Sequence, residues 1–538
     1  MKKKLIKYTA LFFASLLMAG LLTGCGTDSV STVTAPSASE SASTVTTTVT
    51  NTVEYSSEDL DGSWDLSTAV AITLQGDSAS VSGKGAAYKD GLVSITAAGT
   101  YVLSGTLNDG QILVDAGKED AVRLVLNGVQ INCSDSAAIY SAQSRKTIIT
   151  LAENTVNTVE DGTVYTYAEG DDEPDAAIFS KSDLTINGEG ALTVTGNFNN
   201  GIGTKDDLVI TGGNLTLTAA KDGLRGRDSI AIHNGAFDIN VPGDAIDSNN
   251  DEDETKGWVS IDGGTFKIAA GDDALHAESD LTVNAGDIDI AQCVEGLEGV
   301  TVTVNGGTID LKASDDGLNA AGGINSSDSS ERYVIRITGG TLTVDAEGDG
   351  IDSNGSVYFE GGSVFVSGPT SNGNGPMDYN LDCEVTGGYL AIAGSSGMAQ
   401  SPQDRSEQYS ITVFYTDLQK ADTTVTLEDE SGNTVFSFAP VKEYQSILIS
   451  TPDLARDKTY TLKSGDTERT DLTISAMVTR ISDDGSEVAV GMSGGMMGGP
   501  GGGRRGGGQP DGNMPARGNR PTAAPGAAVG MDQVKEEA

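Results

Sequence analysis

The chain is short of several residue types, and each shortage excludes something. Of 538 residues only two are histidine, His233 and His276, and they stand in separate stretches that offer no clustered imidazole site, so both read as surface or structural residues. Beyond Cys25 the cysteines are Cys133, Cys293 and Cys383, an odd number set far apart. That spacing supports neither a disulfide framework nor a zinc site, and the three read as small buried residues. Basic residues number 33 against 77 acids, a formal net charge of −44. Such a surface repels nucleic acid and anionic lipid head groups, and it repels an anionic polysaccharide unless cations stand between them. Aromatics make up 5% of the chain while glycine accounts for 70 residues, a composition that would suggest disorder if the apolar residues were scattered. They recur instead at fixed intervals.

The ends are distinct from the middle. Met1-Lys2-Lys3-Lys4 precedes an apolar run from Leu11 to Leu22, too short to span a bilayer and built like a secretory signal. The run ends in Leu22-Thr23-Gly24-Cys25, which resembles the bacterial lipobox. That resemblance implies cleavage after residue 24, lipidation of Cys25 and an extracytoplasmic protein anchored to the bacterial cell membrane by its lipid alone. Taking the four lysines of residues 1–24 from the 33 basic residues leaves 29 against 77 acids, a net charge of −48 for the mature chain. Residues 25–55 form a Ser/Thr-rich tether with nothing to bury, and the Gly/Pro-rich 486–538 cannot make a core and reads as a disordered tail.

Between these ends the chain repeats. A Gly-Gly or Asn-Gly turn within an alternating apolar run recurs with its glycine at Gly213, Gly235, Gly264, Gly286, Gly307, Gly340 and Gly362. Most units span about 22 residues, and the two long ones carry polar insertions, Asn250 to Lys256 and Gly322 to Arg332. Apolar residues alternate with polar ones over three to five positions, the period of a strand, and no connection is long enough for a crossover helix. Three short strands per unit predict an all-β chain, a right-handed parallel β-helix over 56–400 with coils of about 22 residues. A β-sandwich is the alternative, but it gives no reason for the period. Alternating segments without that period, such as Tyr409 to Phe414 and Tyr460 to Lys463, predict a small antiparallel β module over 401–485.

A second motif runs beside the turns, an acid followed by a small residue and Ile or Leu. It occurs at Asp222, Asp244, Asp273, Glu295, Asp316 and Asp349. Further acids follow three residues later at Asp247, Glu298 and Asp352, or immediately precede at Asp272 and Asp315. One phase of a β-helix stacks rung on rung, and like charges about 5 Å apart repel by roughly 3 kcal/mol per pair at an effective dielectric of 20. Lys221, Arg225 and Arg227 can neutralise the first rungs, whereas no basic residue is evident at this phase around Asp273 or Glu295. Ca²⁺, a hard cation with flexible oxygen coordination, answers that repulsion, with Asn249 and Asn354 as further oxygens. The alternative is that the acids point outward and make Asx turns without metal.

At these residues, together with Gly99 to Gly105, Val122 to Gly128 and Tyr444-Gln445-Ser446, the chain resembles the carbohydrate-binding domain-containing lipoproteins of clostridia and their relatives. The resemblance covers roughly residues 55–480. It implies a β-helix similar to family 9 polysaccharide lyases, calcium on the helix, and binding of cellulose-like or acidic pectic glycans. The expected partner is thus a polysaccharide, held without catalysis, with Trp258 as a stacking platform and Lys221, Arg225 and Arg227 as polar contacts. Tyr165, Tyr167 and Tyr379 are weaker platforms. A calcium-dependent pectate lyase and a surface spacer or adhesin remain as alternatives. A lyase needs a base of low pKa, which is hard to arrange for a lysine among so many carboxylates.

Overall fold

The computed structural model describes residues 53–167, 170–323 and 330–488. Residues 1–24, Cys25, nearly all of the 25–55 tether and all but the first residues of the 486–538 tail lie outside them. Among the described residues the chain is nearly all strand, interrupted by one four-residue helix, Ser57–Leu60, and one 3-10 turn, Ser330–Arg332.

The alternation read in the sequence becomes three short strands per winding. Leu224–Gly226, Ser229–Ile232 and Ala236–Val241 are followed by Ile246–Ser248, Trp258–Ile261 and Thr265–Ala270, and each strand pairs in parallel with its counterpart one winding on. Leu224 stands opposite Ile246, Ile230 opposite Val259 and Ile239 opposite Ile268. The insertion between Ser248 and Trp258 loops out without shifting that register. Long parallel sheets built this way give a β-helix-like fold.

Because side chains alternate across a strand, every second residue points inward and meets the same position of the winding above. Leu224, Ile246, Leu275, Leu297, Leu318 and Ile351 form one such column, all buried. Burial of each stabilises the fold by roughly 2 kcal/mol. Phe237 stacks on Phe266 with ring centroids 4.5 Å apart at 3°. Cys133, Cys293 and Cys383 are free and buried in this core.

Where the small residue after the acid is glycine, it has a steric cause. A Cβ added at Gly317 would sit 2.5 Å from the carbonyl oxygen of Gly350 on the next winding and 2.4 Å from Val344 Cγ1.

At the amino-terminal end, Val70–Gly76 pairs antiparallel with Ala79–Val81, and Ala86–Lys89 with Leu92–Ile95. At the other end Tyr389–Gly394 is parallel to Ser363–Ser367 but antiparallel to Tyr444–Ser450. Four further strands within residues 425–473 pair antiparallel around Leu427, Phe436 and Leu462. A strap ahead of the first strand crosses several windings. Its short helix is capped reciprocally by Ser56 and Asp59, and Asp59 is buried against Lys146 Nζ at 2.6 Å and Thr185 Oγ1 at 2.5 Å.

Candidate metal and glycan site

The acidic motif forms two adjacent columns on the face built by Leu224–Gly226, Ile246–Ser248, Leu275–Ala277, Leu297–Gly299, Leu318–Ala320, Ile351–Ser353 and Asp378–Tyr379. The first column holds the acids that open each unit. Asp222 Oδ1 accepts the backbone N–H of Asp244 at 3.1 Å, Asp244 Oδ1 that of Asp273 at 3.0 Å, and Asp273 Oδ1 that of Glu295 at 3.2 Å. Asp316 Oδ1 accepts Asp349 N–H at 2.6 Å, and Asp349 accepts Gly375 N–H. One oxygen of these carboxylates therefore ties its winding to the next, a role that the amide Oδ1 of Asn200 fills one winding earlier by accepting Asp222 N–H at 3.3 Å.

The second column is set by register three residues on. Arg225 pairs with Asp247, Asp247 with His276, His276 with Glu298, Glu298 with Asn319, Asn319 with Asp352 and Asp352 with Asp378. His276 thus stands at the phase where the sequence reading saw no basic residue. Its Nδ1 lies 3.3 Å from Asp247 Oδ1 and its Nε2 lies 4.0 Å from Glu298 Oε2. Burial opposes the imidazole's charge, but Asp247, Glu298 and Asp244 push its pKa up to about 10. Burial likewise works against the Asp247 carboxylate, yet His276 and Arg225 hold it below the ordinary range.

Elsewhere the carboxylates keep protons unusually well. Burial first, then neighbouring charge, raises Asp244 to about 7, Asp273 to about 8, Asp316 to about 8, Asp352 to about 7 and Asp349 to about 6. Burial also raises Glu298.

Ligand atoms converge within 4.8 Å of one another in the groups Asp244/Asp247/His276, Asp273/His276/Glu298, Asp244/Asp272/Asp273 and Asp349/Asp352/Asp378. The first two include an imidazole that already supplies positive charge. The last two are all oxygen, and beside the last of them the Oδ1 of Asn319, next to Asp352, is a buried acceptor without a hydrogen-bond partner. Three clustered carboxylates with an orphaned amide oxygen beside them fit a hard divalent cation.

Of the acids read from the sequence, Asp244, Asp247, Asp272, Asp273, Glu298, Asp349 and Asp352 enter these groups. Asp222, Glu295, Asp315 and Asp316 do not. Asp222 is engaged by Lys221 Nζ at 2.6 Å, and Glu295 Oε2 accepts Asn319 Nδ2 at 2.7 Å. Asn249 donates to Asp247 Oδ2 at 3.1 Å, and Asn354 Oδ1 accepts from Asn380. Asn319 and Asp378 were missed. Asn319 occupies the place of the second acid, three residues after Asp316, and is legible in that frame. Asp378 is not, because its winding opens with Gly375 rather than an acid.

Arg225 and Arg227 line a groove of about 970 Å³ together with Lys205, Glu173, Asp175 and Glu278. Arg225 Nη1 lies 3.3 Å from Asp175 Oδ2, Arg227 Nη2 lies 2.7 Å from Glu252 Oε2, and Lys205 contacts Glu173. These cations already face carboxylates, so a bare anionic ligand gains little from them. Trp258 is half-buried on the strand opposite Ser229 and does not line this groove. Tyr165 is buried, stacked 4.1 Å from Phe198, with its hydroxyl on Asp161 at 2.5 Å. The hydroxyls of Tyr167 and Tyr379 donate to the carbonyls of Pro174 and Ser401. His233 meets Tyr55 edge-on at 4.8 Å.

Comparison with known proteins follows the same windings. Residues 89–329 match the family model described as carbohydrate-binding domain-containing protein. A protein of that description from Acetivibrio thermocellus is 40% identical over 200 residues, covering 37% of this chain and 70% of the relative. A solved polysaccharide lyase-like protein from C. thermocellum, a gadolinium derivative, is 38% identical, with 48% of this chain and 98% of that one covered at a TM-score of 0.41. With its repeat matched over that span, the chain belongs to the carbohydrate-binding domain-containing protein family.

Proposed function

We propose that this is a non-catalytic polysaccharide-binding lipoprotein, exported, anchored through Cys25 to the outer face of the bacterial cell membrane, and stabilised by Ca²⁺ on its acidic columns. In this reading the fold is a right-handed β-helix of about 22 residues per coil, and the antiparallel strands of residues 401–485 form a module of their own.

The observation that carries the reading is the carboxylate group Asp349, Asp352 and Asp378 with the orphaned Asn319 Oδ1 beside it. These four residues would hold the ion, which would supply positive charge to a group that contains no basic residue and could bridge protein carboxylates to uronate groups. Asp247 and Glu298 are already served by the imidazolium of His276, which favours the Asp349 end of the column for metal. Direct charge matching does not explain a surface of this sign binding an acidic glycan; a divalent bridge does.

The test is metal analysis of the dialysed protein followed by retention on immobilised polygalacturonate with calcium or with chelator. The expected result is stoichiometric calcium and retention that chelator abolishes. Absence of both bound metal and retention contradicts the reading. Release of unsaturated, ultraviolet-absorbing products from pectate would replace binding by lyase activity.

A further inference from the structure

On another side of the molecule the strap and the turns enclose a groove of about 820 Å³. Its wall is Leu60 and Trp64 from the strap, and its floor is the turn backbone at Gly188, Gly213 and Gly235. Leu60 is 52% exposed, a large apolar side chain left in water, and Trp64 rests on Val102, Val125 and Ala152 while lining the groove.

The floor must stay bare. A Cβ at Gly188 would come 2.2 Å from the carbonyl oxygen of Leu151, and one at Gly213 would come 2.7 Å from Leu151 Cδ1; both residues have positive φ. The wall is fixed too. Asn187 Nδ2 donates to the carbonyls of Asp59 and Asp61, and Thr211 Oγ1 to that of Asp59, so the strap is docked rather than draped.

Exposed Asn214 and Asn234 stand along the groove and present amide groups, while the charged residues lining it are Glu153 and Glu189, with no basic residue among its described lining. A flat apolar ring, amides and carboxylates that accept hydroxyl protons make sugar-recognition chemistry, and the sign of the charge turns uronates away. The turns recur at the strand spacing of about 4.8 Å, close to the length of one unit of an extended 1,4-linked glycan.

We infer that this groove is a binding site for an extended neutral polysaccharide, with Trp64 as its stacking platform. The inference rests on the carbohydrate-binding reading above and gives it a second site, separate from the acidic columns and independent of calcium.

The two tryptophans of the chain, Trp64 and Trp258, make the test direct. In full-length protein carrying Trp258→Phe, Trp64 is the sole tryptophan reporter, and cellohexaose or xylohexaose should change its emission saturably in chelator. Trp64→Ala in the native background should weaken binding of the same hexasaccharide at least about tenfold by calorimetry, and Asn214→Ala, on the exposed rim, should weaken it several-fold with an unchanged melting temperature. Calcium-dependent retention on polygalacturonate should be untouched by either change. Unaltered hexasaccharide affinity in Trp64→Ala, or no neutral binding by the native protein while polygalacturonate retention persists, overturns the groove and leaves the acidic site standing. Loss of calcium binding and of polygalacturonate retention with neutral binding intact would overturn the acidic site and leave the groove.

Discussion

At the scale of single residues, the second acidic column is a graded sequence of charge: arginine, aspartate, histidine, glutamate, asparagine, then two aspartates. Positive charge is built in at one end and missing at the other. Asp378→Asn should therefore lower calcium affinity by roughly tenfold or more, measured by calorimetry, because one of three clustered carboxylates is lost. His276→Ala should leave calcium binding near Asp349 intact but destabilise the calcium-free protein by about 2 kcal/mol in denaturant titrations, since buried Asp247 loses one of its two cationic partners and keeps only Arg225. The sign with pH is also set. Asp244, Asp273, Asp316, Asp349 and Asp352 bind protons more tightly folded than unfolded, so their contribution is present below about pH 4 and is lost as pH rises through 6 to 8. The calcium-free protein should melt at a lower temperature at pH 8 than at pH 5, as followed by circular dichroism. Added calcium should remove most of that difference.

At the scale of elements, the strap shows what a repeat-based reading overlooks. Tyr55 to Asp61 has no period and no apolar alternation, so its partners, 87 residues away at Arg145 and Lys146 and 126 away at Thr185, leave no local trace. The strands themselves were legible because alternation and glycine turns are local signals, and register followed from the repeat. The acids were legible as a phase of the coil, but which of them converge was not. That depends on the side-chain directions that send Asp316 to a backbone amide and Asp352 towards Asp378. Lys146→Met leaves Asp59 buried without its cation and should cost about 3 kcal/mol in denaturant unfolding. Asp59→Asn, which keeps the shape and removes the charge, should cost less.

At the scale of the whole molecule, a chain with formal net charge −44 folds by stacking many carboxylates on one face. Backbone amides absorb one oxygen of several acids in the first column, His276 and Arg225 serve the early rungs of the second, and Asp349, Asp352 and Asp378 converge at its far end, where we propose the cation. Two proposed binding faces of different chemistry on one stack of windings would let such a protein hold neutral and acidic glycans through independent contacts.

The most direct measurement is anomalous diffraction from crystals grown in calcium. The account predicts a strong peak bonded to oxygens of Asp349, Asp352 and Asp378, with Asn319 turned towards it. Those carboxylates fanned apart into solvent, with no peak among them, would contradict it.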